Sequence, residues 1–350
     1  MGAWLEREWQ RLGGGALVLL PFTILFALGA WARRMLYKTG ILRPWFAKVP
    51  VVVVGNITVG GSGKTPLALE VLEILQKHGF NPGVVARGYG RVPSREQDPR
   101  GVVRVYPDVA TPEHFGDEPV LIARRSRVPV YISPDRPAAA RALLEAHPET
   151  DVIVSDDGLQ HYALGRDLEI AVVDGERRFG NRLLLPSGPL RETVARLATV
   201  DAVVWNGGAT DEALGPRRFA MRLGNERFVS LTSVEQMTPA EFALAARGRN
   251  VAALAGIGNP DRFFEHLAAL GVAARNRVFP DHYLYQAQDL KLPGAEVIVM
   301  TEKDAVKCAA FADARMWFLH VEAILPPEFD EFLLARLAMA RRRADGPQAA

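Results

Sequence analysis

The chain has 350 residues, 42 Lys and Arg against 40 Asp and Glu, and is 49% hydrophobic and 23% charged. That length allows two domains with cores of their own, and the near-neutral balance excludes the broad basic field a nucleic-acid partner requires. The single cysteine, Cys308 in "TEKDAVKCAAF", excludes an intramolecular disulfide and a cysteine-built metal cluster; it suits a reducing compartment and reads as a small buried filler.

The first element is apolar. Leu12 to Ala32, "LGGGALVLLPFTILFALGAWA", is 21 residues without a charge, close to the roughly 20 that cross a bilayer as a helix. Arg7 and Arg11 precede it, mixed with Glu6 and Glu8, whereas Arg33, Arg34, Lys38, Arg43 and Lys48 follow with no acid among them. This asymmetry places the main body on the cytoplasmic side of a membrane, and the order of charge and apolar run argues against a cleaved signal peptide. Gly13 to Gly15 and Pro21 leave a helix lying in the interface as an alternative to a spanning one, and a buried core helix as a third. Residues 1–45 are therefore read as a membrane-associated helix with a basic linker.

Residues 46–225 read as one α/β unit. "VPVVVV" (Val49 to Val54) is β-branched without alternation, as in a parallel strand buried on both faces. A glycine-rich loop follows, then "TPLALEVLEILQKHGF", where Leu67, Val71, Leu72, Ile74 and Leu75 recur at helical spacing before Gly79. "NPGVVARGYG" and "VPVYIS" read as strands, "RPAAARALLEAHP" as a helix, and "DVIVSDDG" and "LEIAVVDG" as strands ending in acids; "DAVVWNGG" reads as an edge or final strand. Strands alternating with helices predict a doubly wound parallel sheet of the phosphate-loop NTPase type, with ligands at the C-terminal strand ends. Residues 226–324 read as a smaller α/β domain: "NVAALAGIGNP", "DRFFEHLAALG" and "EVIVMTEKD" restart the alternation, and "RFVSLTS" and "RMWFLHVE" can pair as a two-stranded connection. Residues 325–350 form a C-terminal helix with a basic end, "ARRR", and a tail.

The loop carries the chemistry. A phosphate loop is G-x-x-x-x-G-K-[ST], and counting back from Gly63-Lys64-Thr65 the first glycine falls at Thr58. What remains, Thr58, Val59, Gly60, Gly61, Ser62, Gly63, Lys64 and Thr65, still offers backbone amides at a helix start as an anion nest. Lys64 would neutralise phosphate charge and Thr65 would offer its hydroxyl to Mg²⁺. Pro66 falls in the first helical turn, where a missing N–H leaves nothing unpaired. "TEKD" at Thr301 to Asp304 lacks the spacer of a guanine-reading N/T-K-x-D element. Asp156 and Asp157 end a hydrophobic strand, where the metal-side acid belongs, with His161 in the same loop. Asp117 and His282 are candidates to handle the proton of an acceptor hydroxyl, and Glu118 beside Asp117 reads as a capping acid. Two other readings stay open at this point. One is a phosphate-loop small-molecule kinase or ligase of the dethiobiotin synthetase and partitioning-ATPase class, although those ATPases prefer lysine where Val59 stands. The other is a membrane-tethered nucleotide switch.

The set "GNITVGGSGKTP", "ARGYGR", "GDEP", "DDGLQH", "LLPSGPLRE", "AGIGNPDRFF", "FPDHY" and "TEKDAVK", in this order behind an apolar helix, resembles the tetraacyldisaccharide 4'-kinase (lipid A 4'-kinase) family over roughly residues 15 to 330. The resemblance implies ATP- and Mg²⁺-dependent phosphorylation of the 4'-hydroxyl of an acylated glucosamine disaccharide 1-phosphate at the cytoplasmic face of a bacterial inner membrane, with no nucleic acid and no obligate protein partner. It implies Asp117 as catalytic base with His282 as its partner. It implies Asp156 and Asp157 as Mg²⁺ and phosphate ligands with His161 nearby, Glu192 as a further acid near Mg²⁺, and Arg191 as a phosphate contact. The family's loop begins with Ser or Thr, which Thr58 fits.

Overall fold

The computed structural model describes residues 8–9, 13–89, 101–208, 210 and 214–345, the last four without their side chains. Glu6, Arg7, Arg11 and Leu12, the Gly90-Arg91 end of "ARGYGR", the side chains of Arg342 and Arg343 and the tail from 346 lie outside the described residues.

Within them, 13 strands join one sheet. In chain order they are β1 (Val51–Gly55), β2 (Pro82–Ala86), β3 (Val103–Val105), β4 (Val130–Ile132), β5 (Val152–Asp156), β6 (Leu168–Asp174), β7 (Ala202–Asn206), β8 (Arg218–Ser230), β9 (Gln236–Met237), β10 (Val251–Ala255), β11 (Arg275–Val278), β12 (Val297–Thr301) and β13 (Met316–Ile324). The helices are α1 (Gly14–Lys38), α2 (Lys64–Lys77), α3 (Pro112–Phe115), α4 (Asp117–Ser126), α5 (Arg136–Ala146), α6 (Pro239–Ala245), α7 (Pro260–Ala269), α8 (Glu302–Cys308) and α9 (Pro327–Asp345).

β1 lies between β5 and β6, parallel to both. Its side chains alternate between two cores. Val52 and Val54 pack with Leu67, Val71 and Leu75 of α2, and Val51 and Val53 with Ala139, Ala140 and Leu143 of α5. A run of valines is what this double burial selects, each contributing about 1.5–3 kcal/mol when fully buried. Phe329, Phe332, Leu333 and Leu337 of α9 enter the first of these cores, so the C-terminal helix packs on the phosphate-loop lobe.

β7 is not an edge or final strand: it lies between β6 and β8. The first four residues of β8 run parallel to β7 (Val203↔Arg218 to Asn206↔Met221), and the rest, to Ser230, pairs antiparallel with β13. One strand therefore passes from the first lobe into the second, where β13, β12, β10 and β11 are successively parallel. The pairing expected between "RFVSLTS" and "RMWFLHVE" is part of this ladder. Phosphate-loop helix α2, α4 and α8 are brought together at the junction, on the C-terminal side of β1 and β12.

α1 is not a core helix. Its most apolar window has a mean hydropathy of 2.0, yet only 11% of it is buried, and Pro21 sits inside it without ending it. A narrow stripe docks it on the body: Ala16 is fully buried, Thr23 Oγ1 donates to Ser187 Oγ at 2.7 Å, and Ser187 N donates to Thr23 Oγ1 at 3.0 Å. Leu17, Val18, Phe22 and Leu25 point away from protein.

Candidate active site

The strand-to-helix turn after β1 has two residues in the left-handed region, Gly60 (φ 91°) and Gly63 (φ 95°). A Cβ on Gly63 would meet Asn206 Nδ2 at 2.3 Å, so glycine is required there for space as well as for torsion. The loop is fixed from within and from β7: Asn56 Nδ2 donates to Ser62 Oγ at 2.9 Å, and Asn206 Nδ2 to the Ser62 carbonyl at 3.1 Å. Thr58 explains its own departure from the glycine pattern. It is extended, bridged antiparallel to Leu190, with Val59 N donating to Pro189 O at 2.9 Å and Arg191 N to Ile57 O at 2.7 Å. No positive torsion is needed at this position, and a β-branched residue suits it.

That stitch brings "GPLRE" against "DDGLQH". Arg191 Nη1 donates to Asp157 Oδ1 and Oδ2 at 3.0 and 2.8 Å, and Lys64 Nζ lies 3.9 Å from Asp157 Oδ1. Burial alone would raise the Asp157 pKa, but Lys64 and Arg191 hold it well below the usual carboxylate range. Asp156 is the opposite case. It is buried, its Oδ1 has no hydrogen-bond partner, and burial with the charges of Glu118 and Asp157 pushes its pKa up to about 7. A buried carboxylate with an orphaned oxygen, next to a second acid and lining the same cavity as the phosphate-loop Thr65, is a donor set suited to a divalent cation. Among the described residues no three His, Cys, Asp or Glu side chains form a metal group by themselves. Glu192 Oε1 accepts from Gln160 Nε2 at 2.8 Å and Oε2 from the Tyr162 hydroxyl at 2.6 Å. His161 is held neutral: burial, then the charges of Arg136, Arg87 and Arg33, lower its pKa to about 3.

The second lobe completes the site. Gly116, at φ 86°, turns the chain into α4 and places Asp117 in its first turn. His282, itself at φ 58°, reaches across and donates Nδ1–H to Asp117 Oδ2 at 3.0 Å. Burial opposes ionisation of Asp117, but the His282 hydrogen bond and the ammonium groups of Lys303 and Lys307 lower its pKa to about 2; the bond to Asp117 raises that of His282. Arg177 ties the lobes at the loop itself, donating to Gly61 O at 2.6 Å and to Gly258 O of "AGIGNP" at 3.2 Å.

One cavity of about 1630 Å³ collects these groups. Val59, Gly60, Gly61, Ser62, Gly63, Lys64, Thr65, Asp117, Asp156, Asp157, His161, Arg191, Glu192 and His282 all line it; Thr58 alone of the predicted residues does not. Phe26, Leu28, Trp31, Arg33 and Arg34 of α1 form another part of its wall. Sequence reasoning gave no role to Arg87, Arg136, Arg262 and Lys303, which also line it. A signal existed for Arg87, Arg136 and Lys303, since each follows the C-terminal end of a strand, β2, β4 and β12, where α/β sheets bind ligands.

Known proteins resemble this chain over nearly its whole length. Residues 15–338 match the family model "Tetraacyldisaccharide-1-P 4'-kinase". The chain is 48% identical over 337 residues to a tetraacyldisaccharide 4'-kinase of Azoarcus sp. (strain BH72), with 95% of each covered. It is 42% identical over 341 residues to that of Shewanella pealeana, covering 96% of this chain and 98% of the other. A crystal structure of LpxK from Aquifex aeolicus in complex with ATP superposes with a TM-score of 0.75 at 28% identity, covering 92% of this chain and 99% of that one.

Proposed function

The chain belongs to the tetraacyldisaccharide 4'-kinase family, and we propose that it performs that family's reaction with Asp117 as the base. The enzyme is an ATP-dependent phosphotransferase acting on the 4'-hydroxyl of a tetraacyldisaccharide 1-phosphate in lipid A biosynthesis. The observation that carries the residue assignment is the contact of His282 Nδ1 with Asp117 Oδ2 at 3.0 Å, across two lobes, in the cavity that also holds the phosphate loop.

ATP binds with its β- and γ-phosphates on the amides of Gly60 to Lys64, against Lys64 and Arg191. The 4'-oxygen forms a bond to the γ-phosphorus as the bond from that phosphorus to the β,γ-bridging oxygen breaks, leaving ADP. The hydroxyl proton passes to Asp117. A carboxylate held near pKa 2 stays ionised throughout the working range and takes the proton late, as suits a loose transition state in which positioning matters more than base strength. His282 holds the receiving oxygens in place. Thr65, Asp156 and Asp157 would hold Mg²⁺, with Glu192 as the further acid beside them; when bound it supplies charge neutralisation to the transferring phosphoryl group. The neutral His161 lines the phosphate side without adding a cation.

The apolar face of α1 supports association with the bacterial inner membrane from its cytoplasmic side. A substrate with four acyl chains would cost about 0.8 kcal/mol per CH₂ to extract, and a cavity walled in part by Phe26, Leu28 and Trp31 lets the sugar reach the loop while the chains stay in lipid. Trp31 and the basic residues Arg33, Arg34, Lys38, Arg43 and Lys48 suit the interface and anionic head groups, whereas Trp45 packs on the core of the phosphate-loop lobe beneath Arg141. The test is γ-labelled ATP with the purified lipid disaccharide, separated by thin-layer chromatography, for the wild type and Asp117→Asn. Label on the 4'-position in the wild type, with turnover down about 10²–10⁴-fold in the variant, is expected. Rapid ATP hydrolysis without labelled lipid would overturn the reading in favour of a switch.

A further inference from the structure

Lys303 belongs to α8 of the second lobe, but its side chain is committed to both lobes. The ammonium lies 3.1 Å from Glu118 Oε1, 3.6 Å from Asp117 Oδ2 and 3.5 Å from Asp281 Oδ1, with 17% of the side chain exposed. An ammonium has three N–H donors, and three carboxylates surround this one. Two of them stand in the first turn of α4; the third immediately precedes His282. We propose that Lys303 is a positioning residue for the phosphoryl transfer, joining the loop that carries His282 to the helix that carries Asp117. This rests on the assignment of Asp117 as the base.

The other cations nearby are engaged elsewhere. Lys307 Nζ is 2.7 Å from Asp304 Oδ1 and donates to Gly256 O at 3.1 Å, reaching Asp117 Oδ2 only at 4.0 Å. Lys64 stands on the far side, 3.9 Å from Asp157, where its charge also lowers the pKa of Glu118. On the loop itself Asp281 Oδ2 lies 3.8 Å from His282 Nε2, and Tyr89 packs on the His282 ring at 5.3 Å. Without Lys303, Asp117, Glu118 and Asp281 would face one another with His282 as their nearest shared counter-charge. Mutual repulsion would then draw the Asp281–His282 loop away from α4, and Asp117 would take up a proton at higher pH.

The experiment uses the full-length enzyme in mixed phospholipid–detergent micelles with ATP and the lipid disaccharide. Lys303→Met should lower kcat about 100-fold while the KM for ATP stays within about threefold. Lys303→Arg keeps the charge and should hold kcat within about tenfold of the wild type, and ethylammonium should restore part of the kcat of Lys303→Ala. A Met variant with the wild-type kcat, a loss confined to the KM for ATP, or no amine rescue would overturn the assignment. If Lys303→Met does not fold, the Arg variant decides: a kcat down about 100-fold overturns it, one within about tenfold supports it. Asp117→Asn measured in parallel separates the two claims. Retained turnover there removes the base itself, whereas lost turnover beside an unaltered Lys303→Met removes only the role of Lys303.

Discussion

Asp156→Asn should stabilise the metal-free protein even as it destroys activity. Asp156 is buried with one oxygen unpartnered, and burial together with Glu118 and Asp157 takes its pKa from 3.8 to about 7. A carboxyl whose folded pKa lies above its unfolded value gives the folded state the extra proton. Stability is then greatest at low pH, falls as pH rises from about 4 to about 7, and stays at the lower level above that. Three pKa units correspond to about 4 kcal/mol. The amide that replaces the carboxylate still needs partners, which takes back about 1–3 kcal/mol and leaves roughly 2 kcal/mol in favour of the variant at pH 8. For a chain of this size that is about 4 °C in melting temperature. Thermal unfolding in EDTA at pH 8 and at pH 4.5 measures it: the variant should melt higher at pH 8 and no higher than the wild type at pH 4.5, where the buried carboxyl is already protonated. With Mg²⁺ and ATP added, the wild type should gain more than the variant. An Asn variant that melts below the wild type in EDTA at pH 8, or a gap independent of pH, would show that a donor already pairs Asp156. The argument for a cation at that carboxylate would then fail.

The loop glycines should separate cleanly. Gly63→Ala places a Cβ 2.3 Å from Asn206 Nδ2 at φ 95°, costing about 1–3 kcal/mol in strain plus about 1 kcal/mol for the Asn206 to Ser62 bond, so ATP affinity by calorimetry should fall at least tenfold. Gly61→Ala meets nothing within 4 Å and should bind ATP within about twofold of the wild type, the scale of a neutral surface change. On α1, Leu17→Glu with Leu25→Glu changes two exposed residues that do not line the cavity. The pair should abolish co-sedimentation with anionic vesicles and leave ATP binding unchanged; undiminished sedimentation would mean that this face does not contact lipid.

The parts of the fold legible in the sequence are those buried on both faces. Val51 to Val54 and the "DVIVSD" run have no polar side to interrupt them, and their signal is local. β8 is legible only at its "RFVS" end because the rest of its 13 residues, "RFAMRLGNE", alternates exposed and buried residues with charges outward, and the all-exposed "RNRV" of β11 carries no apolar pattern. The site divides in the same way. The phosphate loop and the Asp156-Asp157 pair are contiguous and readable, whereas His282 and Asp117 are 165 residues apart and Lys303 and Glu118 185 apart. Nothing in local periodicity reports such a meeting. Asp117 and His282 are candidates among others until the resemblance implies their pairing as base and partner, and only the packing of α8 against α4 supplies Lys303.

The bridge between residues 57–59 and 189–191 bears on how such chains evolve and how they are found. Because position 58 is held as a strand residue by Leu190 and its neighbours, its side chain answers to a partner about 130 residues downstream, where a free-standing loop would answer only to its own torsion angles. Changes at the two segments should therefore be inherited together, and a lineage that lost the downstream stretch would be pressed back toward glycine at the upstream one. A search that demands that first glycine passes over every sequence in which the stitch has made it unnecessary.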